Sequence, residues 1–363
     1  MIYTKLGQTD LDVGIVSIGT EHLNRYSQKR VNSTVHCAID HGFNYFDILT
    51  ASQARQSKYS VALEGLRDKV LIAGHLPGRE QDVQKSRDSF YEFLACVGVE
   101  YVDVLFIQYV DKKPDYERIV GPGGLYELAA EFKREGKARC IGISGHKTGV
   151  ALKAAASGLF DVIMHPINLA SKAISTPFRR GFVADQKKRL LETCAANGVG
   201  VIAMKPFWGG KLLKPGHAYT ATPVQCVHYC LSQVGVDVAL AGVSSAQEVM
   251  ELAHYFEATQ EEKDFSPIIL SQLEDKATVE GCVYCNHCLP CPVDIDVALV
   301  NRFGDLAEQY LNDSLMQAYH ETSPNASDCI ECGDCTAMCP FDIDVISKMR
   351  ETAQRYGDVG AGG

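Results

Sequence analysis

Eight short apolar runs alternate with eight helix-like stretches between residues 13 and 256, and this alternation restricts the fold more than any other feature. The runs cover 13–20, 43–47, 70–75, 102–108, 138–144, 162–165, 199–204 and 238–242. The helical patterns cover 29–41, 58–66, 82–97, 125–135, 149–157, 182–197, 223–234 and 246–256. Most runs are apolar at consecutive positions rather than alternate ones. Strands buried on both faces read that way. Eight βα units in succession predict an α/β fold, a closed (β/α)8 TIM barrel. An open doubly wound sheet is the alternative, but no G-x-G-x-x-G follows the first run.

Length leaves room for a second unit, since 363 residues exceed a single barrel of this size. The net charge of −10 argues against a nucleic-acid surface, which needs clustered Lys and Arg. No apolar run approaches the roughly 18 residues of a membrane span. The start, Met1-Ile2-Tyr3-Thr4-Lys5, has no apolar signal core and reads as cytoplasmic.

Chemistry in a barrel sits where the strands end. Those ends carry Glu21 and His22, Asp47, His75, Gln108, Ser144 with His146, His165 with Asn168, and Met204 with Lys205. One such residue is ordinarily a cap or a solvated loop. Several at matching ends of successive strands point to a site for a small-molecule substrate. Arg25, Arg55 and Lys205 could meet an anion, or be solvated surface charges.

Several segments resemble the aldo-keto reductase superfamily. Tyr3-Thr4-Lys5-Leu6-Gly7-Gln8-Thr9-Asp10-Leu11 resembles its opening hairpin, and Phe43-Asn44-Tyr45-Phe46-Asp47 its second strand. Asp103–Gln108 with Asp111 resembles its fourth, and Ile141-Gly142-Ile143-Ser144 its fifth. Ala241-Gly242-Val243-Ser244-Ser245, with Glu248-Val249, resembles the segment that holds cofactor phosphates at a helix N-terminus. The resemblance implies an oxidoreductase using NADP(H) or NAD(H). Gly242, Ser244 and Ser245 would lie at the phosphates and Ser144 at the nicotinamide amide, with Asn168 a further cofactor-binding candidate. Other cofactor positions differ. Gly145 or His146 stands in the Asn region, Met164 at the Gln, Met204 at the stacking Tyr and Leu252 at an adenine-side Asn.

The resemblance also implies a catalytic Asp, Tyr, Lys and His. Asp47 matches the Asp, but Ser52, His75 and Gln108 stand at the other three positions. A serine hydroxyl cannot replace a phenol as an acid, whereas an imidazole exchanges protons near neutrality. The expected acid/base is therefore His75, oriented by Asp47, with His22, Gln108, Tyr109 and Lys205 around it. Tyr109, Tyr26 or Tyr59 would supply a phenol otherwise.

Fourteen cysteines are unevenly spread. Cys37, Cys96, Cys140, Cys194, Cys226 and Cys230 are scattered through the barrel and read as core thiols. The remaining eight form C-x2-C-x2-C-x2-C-P from Cys282 and C-x2-C-x2-C-x3-C-P from Cys329. The second is a bacterial ferredoxin run, and the first is one residue shorter. Zinc sites more often use separated pairs. The spacing predicts two [4Fe–4S] clusters. Cys282, Cys285, Cys288 and Cys339 would hold one; Cys329, Cys332, Cys335 and Cys291 would hold the other. Residues 1–275 would then form the barrel and 276–363 a ferredoxin-like domain. An amphipathic helical link falls at 295–318, with a Gly-rich tail at 357–363. Together these segments resemble the iron–sulfur subgroup of the superfamily.

Three functions fit. One is an anaerobic iron–sulfur oxidoreductase whose clusters pass electrons to or from the barrel, with an external redox partner such as a ferredoxin. Another is a non-redox lyase or isomerase with structural clusters. The third is an electron-transfer protein with a non-catalytic barrel.

Overall fold

The computed structural model describes residues 1–49, 52–172, 177–214, 220–269, 282, 284, 288–308, 311, 313–339 and 341–357. The chain divides into two compact units, Met1–Thr278 and Val279–Gly363. The boundary expected at 275/276 and the tail beyond 357 lie outside the described residues.

The first unit opens with a hairpin, β1 (Tyr3–Lys5) against β2 (Asp12–Gly14), paired antiparallel. Eight parallel strands then close a barrel. They are β3 (Val16–Gly19), β4 (Tyr45–Asp47), β5 (Leu71–Pro77), β6 (Val102–Gln108), β7 (Ala138–Ser144), β8 (Val162–Pro166), β9 (Gly200–Met204) and β10 (Val238–Gly242). The first apolar run thus splits between β2 and β3, because its front half pairs in the hairpin.

The helices around the barrel are α1 (Gln28–Asp40), α2 (Gln53–Ala62), α3 (Val83–Val97), α4 (Lys113–Val120), α5 (Leu125–Arg134), α6 (Thr148–Ala155), α7 (Pro177–Asn197), α8 (Pro223–Leu231), α9 (Ala246–Ala253) and α10 (Gln260–Lys263). Helix α5 shows why these segments coil: it buries Leu125, Leu128, Ala129 and Phe132, spaced three to four apart on one face. Asp82 caps α3 by accepting from the Lys85 amide, and Gly98 at φ 75° ends it. Helix α4 falls between two expected elements, in a stretch given no assignment; Pro114 in its first turn is the signal that marks it. The last barrel helix is shorter than expected, with a 3-10 turn at His254–Phe256.

Alternation along each strand decides which side chains reach the barrel interior. Tyr45, Ala73, Val104, Phe106, Cys140, Val162, Met164, Ile202, Val238 and Leu240 belong to one interior cluster. Asp47, His75, Gln108, Ser144 and Gly242 share their faces by parity, nearer the strand ends. His165 takes the opposite parity from Met164 and faces the helices.

Asp103 is the main ionic tie within the barrel wall. Fully buried, it accepts from Arg67 (2.9 Å), Arg139 (2.8 Å) and the Ile72 amide (2.8 Å).

The second unit holds α11 (Val297–Ala307), α12 (Asp313–His320), α13 (Asp334–Met338) and α14 (Val345–Gly357). The expected link is thus two helices. Its core gathers Ile295, Val297, Val300, Phe303, Leu315, Tyr319, Met349 and Tyr356, with Cys288, Cys291, Cys329, Cys335 and Cys339 packed on it. The Tyr319 and Tyr356 rings stack at 3.9 Å. Among the described residues, no helix is long and apolar enough to cross a membrane.

Candidate functional site

Two expected site residues meet directly. His75 Nε2 donates to Asp47 Oδ1 at 2.6 Å, with side chains only 6% and 8% exposed. That bond places a proton on Nε2 and leaves Nδ1 as the reactive nitrogen of the neutral ring. The His75 ring stacks on Phe106, with centroids 5.6 Å apart. Phe106 has room because the next strand carries Gly142, where a Cβ would lie 2.3 Å from the phenyl ring. Small residue, aromatic shelf, imidazole and carboxylate thus follow one another across β7, β6, β5 and β4.

Among the side chains that face the barrel interior, Tyr45 Oη, His75 Nδ1 and Gln108 Oε1 are buried with no hydrogen-bond partner among the described residues. Their strands are adjacent, with His75 beside Phe106 and Pro77 beside Gln108. Buried polar atoms are ordinarily satisfied, and an unmade bond costs about 1–3 kcal/mol. A polar ligand entering the barrel would supply what is missing.

Two strand ends turn through left-handed backbone. Tyr109 after β6 has φ 62° and Lys205 after β9 has φ 56°, positions where L-residues are strained. Asn168 holds the second turn by donating Nδ2 to the Lys205 carbonyl at 3.0 Å. The Tyr109 ring lies under the Arg79 guanidinium at 5.5 Å. Asp111 Oδ1 accepts from the amides of His146 and Lys147, at 2.9 Å for the latter, and fixes the β7–α6 loop. His22 packs beside Gly242, where a Cβ would stand 3.3 Å from its ring carbon.

Other expectations do not meet at the barrel mouth. Tyr59 is fully buried and donates to Asn24 Oδ1 at 2.5 Å, so its phenol proton is already engaged. Burial pushes its pKa well above the ordinary value. Tyr26 lies beneath the Arg30 guanidinium, 3.7 Å from ring centroid to carbon. His165 is enclosed beside α6, bonded to the Gly145 carbonyl (3.0 Å) and Thr148 Oγ1 (3.2 Å). Burial lowers its pKa to about 3, so it is a neutral structural ring. Ser52 precedes α2 at its N-cap position. Burial raises the thiols of Cys140, Cys194 and Cys226 to about 12, as expected of core cysteines.

The segment expected to hold cofactor phosphates is already occupied. Ser245 caps α9 by accepting from the Glu248 amide at 3.2 Å. The Glu248 carboxylate in turn takes the Ser244 amide at 2.6 Å and the Ser244 hydroxyl at 3.0 Å. The residues present therefore do not fit a dinucleotide phosphate at Ser244–Ser245. The signal was in the sequence: Ser245-Ala246-Gln247-Glu248 is a capping-box spacing. Ser144 stays buried at the end of β7.

In the second unit the two cysteine runs share a cavity of about 390 Å³, measured with its opening to solvent. Cys288, Cys291, Cys329, Cys332 and Cys335 line it. Cys282 is buried and its sulfur accepts from the Tyr284 amide (3.4 Å) and Asn301 Nδ2 (3.6 Å). Cys339 is half-buried, and Cys285 and His287 lie outside the described residues. Among the described residues, no three His, Cys, Asp or Glu side chains converge as ligands of a single metal ion.

The aldo/keto reductase family model matches residues 10–225. The chain belongs to the aldo/keto reductase family. Solved aldo-keto reductases share its fold. A putative member from Pseudomonas aeruginosa is 21% identical, with TM-score 0.56, covering 70% of this chain and 94% of its own. One from Bacillus halodurans, described as a holo form, is 19% identical with TM-score 0.58, covering 77% and 98%. One from Klebsiella pneumoniae, in complex with NADPH, is 16% identical with TM-score 0.57, covering 78% and 100%. No curated protein matches. These likenesses bear on the fold alone, and the cysteine runs lie beyond the residues that the family model matches.

Proposed function

We propose that this aldo/keto reductase is an iron–sulfur oxidoreductase that exchanges two electrons and two protons with a small polar substrate in the barrel. The carrying observation is the cavity where both cysteine runs meet. Cys291 lines it with Cys329, Cys332 and Cys335, the set the spacing assigns to one [4Fe–4S] cluster. Cys282, Cys285, Cys288 and Cys339 are assigned the other, and the donors aimed at Cys282 suit a thiolate. A cubane spreads its ligands around a block, so such cysteines line a hollow rather than meet at a point. The clusters, when bound, supply or accept single electrons.

The barrel handles the protons. Asp47 keeps the Nε2 proton of His75 in place, and Nδ1 gives or takes the proton at the substrate oxygen. Gln108 Oε1 accepts from a neighbouring hydroxyl or amine and orients it. Phe106 holds the imidazole plane, while Asn168 fixes the backbone that presents Lys205. No hydride step through NADP(H) or NAD(H) is assigned, because the Ser244 and Ser245 groups that would hold its phosphate are bonded to Glu248.

The partner proposed is a one-electron carrier protein with a basic face. Residues 279–363 hold fourteen Asp and Glu against four Lys and Arg, which equals the charge excess of the whole chain. Within that unit Cys332 is exposed, and Ile330 is 60% exposed beside it.

Anaerobically purified protein tests the proposal. It should contain iron and sulfide for two cubanes, and its visible absorbance should bleach with dithionite. A preparation that folds but binds zinc or no metal would overturn it. So would substrate conversion that proceeds equally with oxidised and reduced protein.

A further inference from the structure

We propose that Glu248 is a specificity residue that turns phosphate-bearing dinucleotides away from the barrel. The inference rests on the reading above, in which electrons arrive one at a time from the second unit. It begins from the bonds that Glu248 makes within the chain. The turn between β10 and α9 has what an anion site needs: Ser244 and Ser245, a helix N-terminus and a nearby guanidinium. Each of these groups is spent internally. The Ser244 amide and hydroxyl both donate to the Glu248 carboxylate, at 2.6 and 3.0 Å. The Ser245 hydroxyl accepts from the Glu248 amide. Arg30 donates Nε to the Ser244 carbonyl at 2.7 Å and lies over the Tyr26 ring.

A capping carboxylate here does two things. It stabilises α9, as an acid in the first turn does. It also fills the donors with an anion carried by the chain itself. An incoming phosphate must displace that carboxylate and then remain close to its charge. A neutral ligand suffers no such repulsion, so the selection acts on phosphate rather than on adenosine.

Charge and occupancy can be separated by two substitutions. Glu248→Gln keeps the shape and an acceptor for Ser244 but removes the charge. Glu248→Ser also vacates the Ser244 donors. Calorimetric titration of cluster-loaded protein with NADPH, 2′,5′-ADP and adenosine reads the outcome. Wild type should show no saturation with NADPH in the micromolar range. Glu248→Gln should bind NADPH and 2′,5′-ADP at least about tenfold more tightly, Glu248→Ser more tightly still, and adenosine affinity should not change. Micromolar NADPH binding by wild type would overturn the proposal, as would two folded variants that bind no better than wild type. Dithionite bleaching of the same samples tests the cluster reading separately. Protein without clusters that still shows the Glu248 effect would leave this inference standing and remove the other.

Discussion

Replacing Asp47 with Asn tests the proton-handling pair most sharply. The two side chains are nearly sealed from solvent and 2.6 Å apart. A hydrogen bond to a charged partner contributes about 1.5–3 kcal/mol, or roughly one to two powers of ten in equilibrium. Asn has the same shape but two faces. Its carbonyl can accept from Nε2–H as Asp47 does, or its amide can donate to Nε2 and send the proton to Nδ1. The imidazole therefore loses its fixed tautomer while Phe106 still holds its plane. Long-range 15N NMR of histidine-labelled protein, with His75→Gln for assignment, reads this directly. Wild-type His75 should carry its neutral-form proton on Nε2, and Asp47→Asn should show a mixture. Where turnover can be followed, it should fall by about 10²- to 10⁴-fold, the usual share of general acid–base catalysis. A wild-type proton on Nδ1, or an unchanged tautomer in Asp47→Asn, would refute the reasoning.

Four further outcomes are expected. Gly142→Ala should push Phe106 out of its slot, broaden the His75 resonances and slow proton exchange with only minor loss of fold. His165 titrates at about 3 when folded and near its ordinary 6.5 when unfolded. The unfolded chain therefore takes up a proton below about pH 6.5 and the folded chain does not. Its contribution to stability is complete above that pH and is lost at about 1.4 kcal/mol per pH unit down to about 3. Urea denaturation at pH 7.5 and 5 should show about 2 kcal/mol of pH dependence that His165→Gln removes, and equal slopes would contradict this. Asp103→Ala leaves Arg67 and Arg139 without their shared carboxylate, and denaturation should reveal a loss of about 3–5 kcal/mol. Cys291→Ser should lower the iron content and alter one cluster signal while the other persists. Loss of both or neither would break the proposed ligand pairing.

The barrel was legible because burial on both faces writes itself as consecutive apolar residues, and strands such as Val102–Gln108 and Ala138–Ser144 took the expected bounds. Asp47 and His75 were legible as a pair because both end inward-facing strands, so parity alone brought them to one mouth. What sequence could not supply was direction and company. His165 also ends a strand, yet its parity turns it outward, which a list of strand-end polar residues cannot show. Phe106 reads as one more core aromatic until Gly142 is seen to make its slot. Glu248 carries the deepest ambiguity. A serine cap that stabilises a helix and a cradle that welcomes a phosphate use the same serines and the same amides. Only the bonds of its carboxylate, to the Ser244 amide and hydroxyl, separate them.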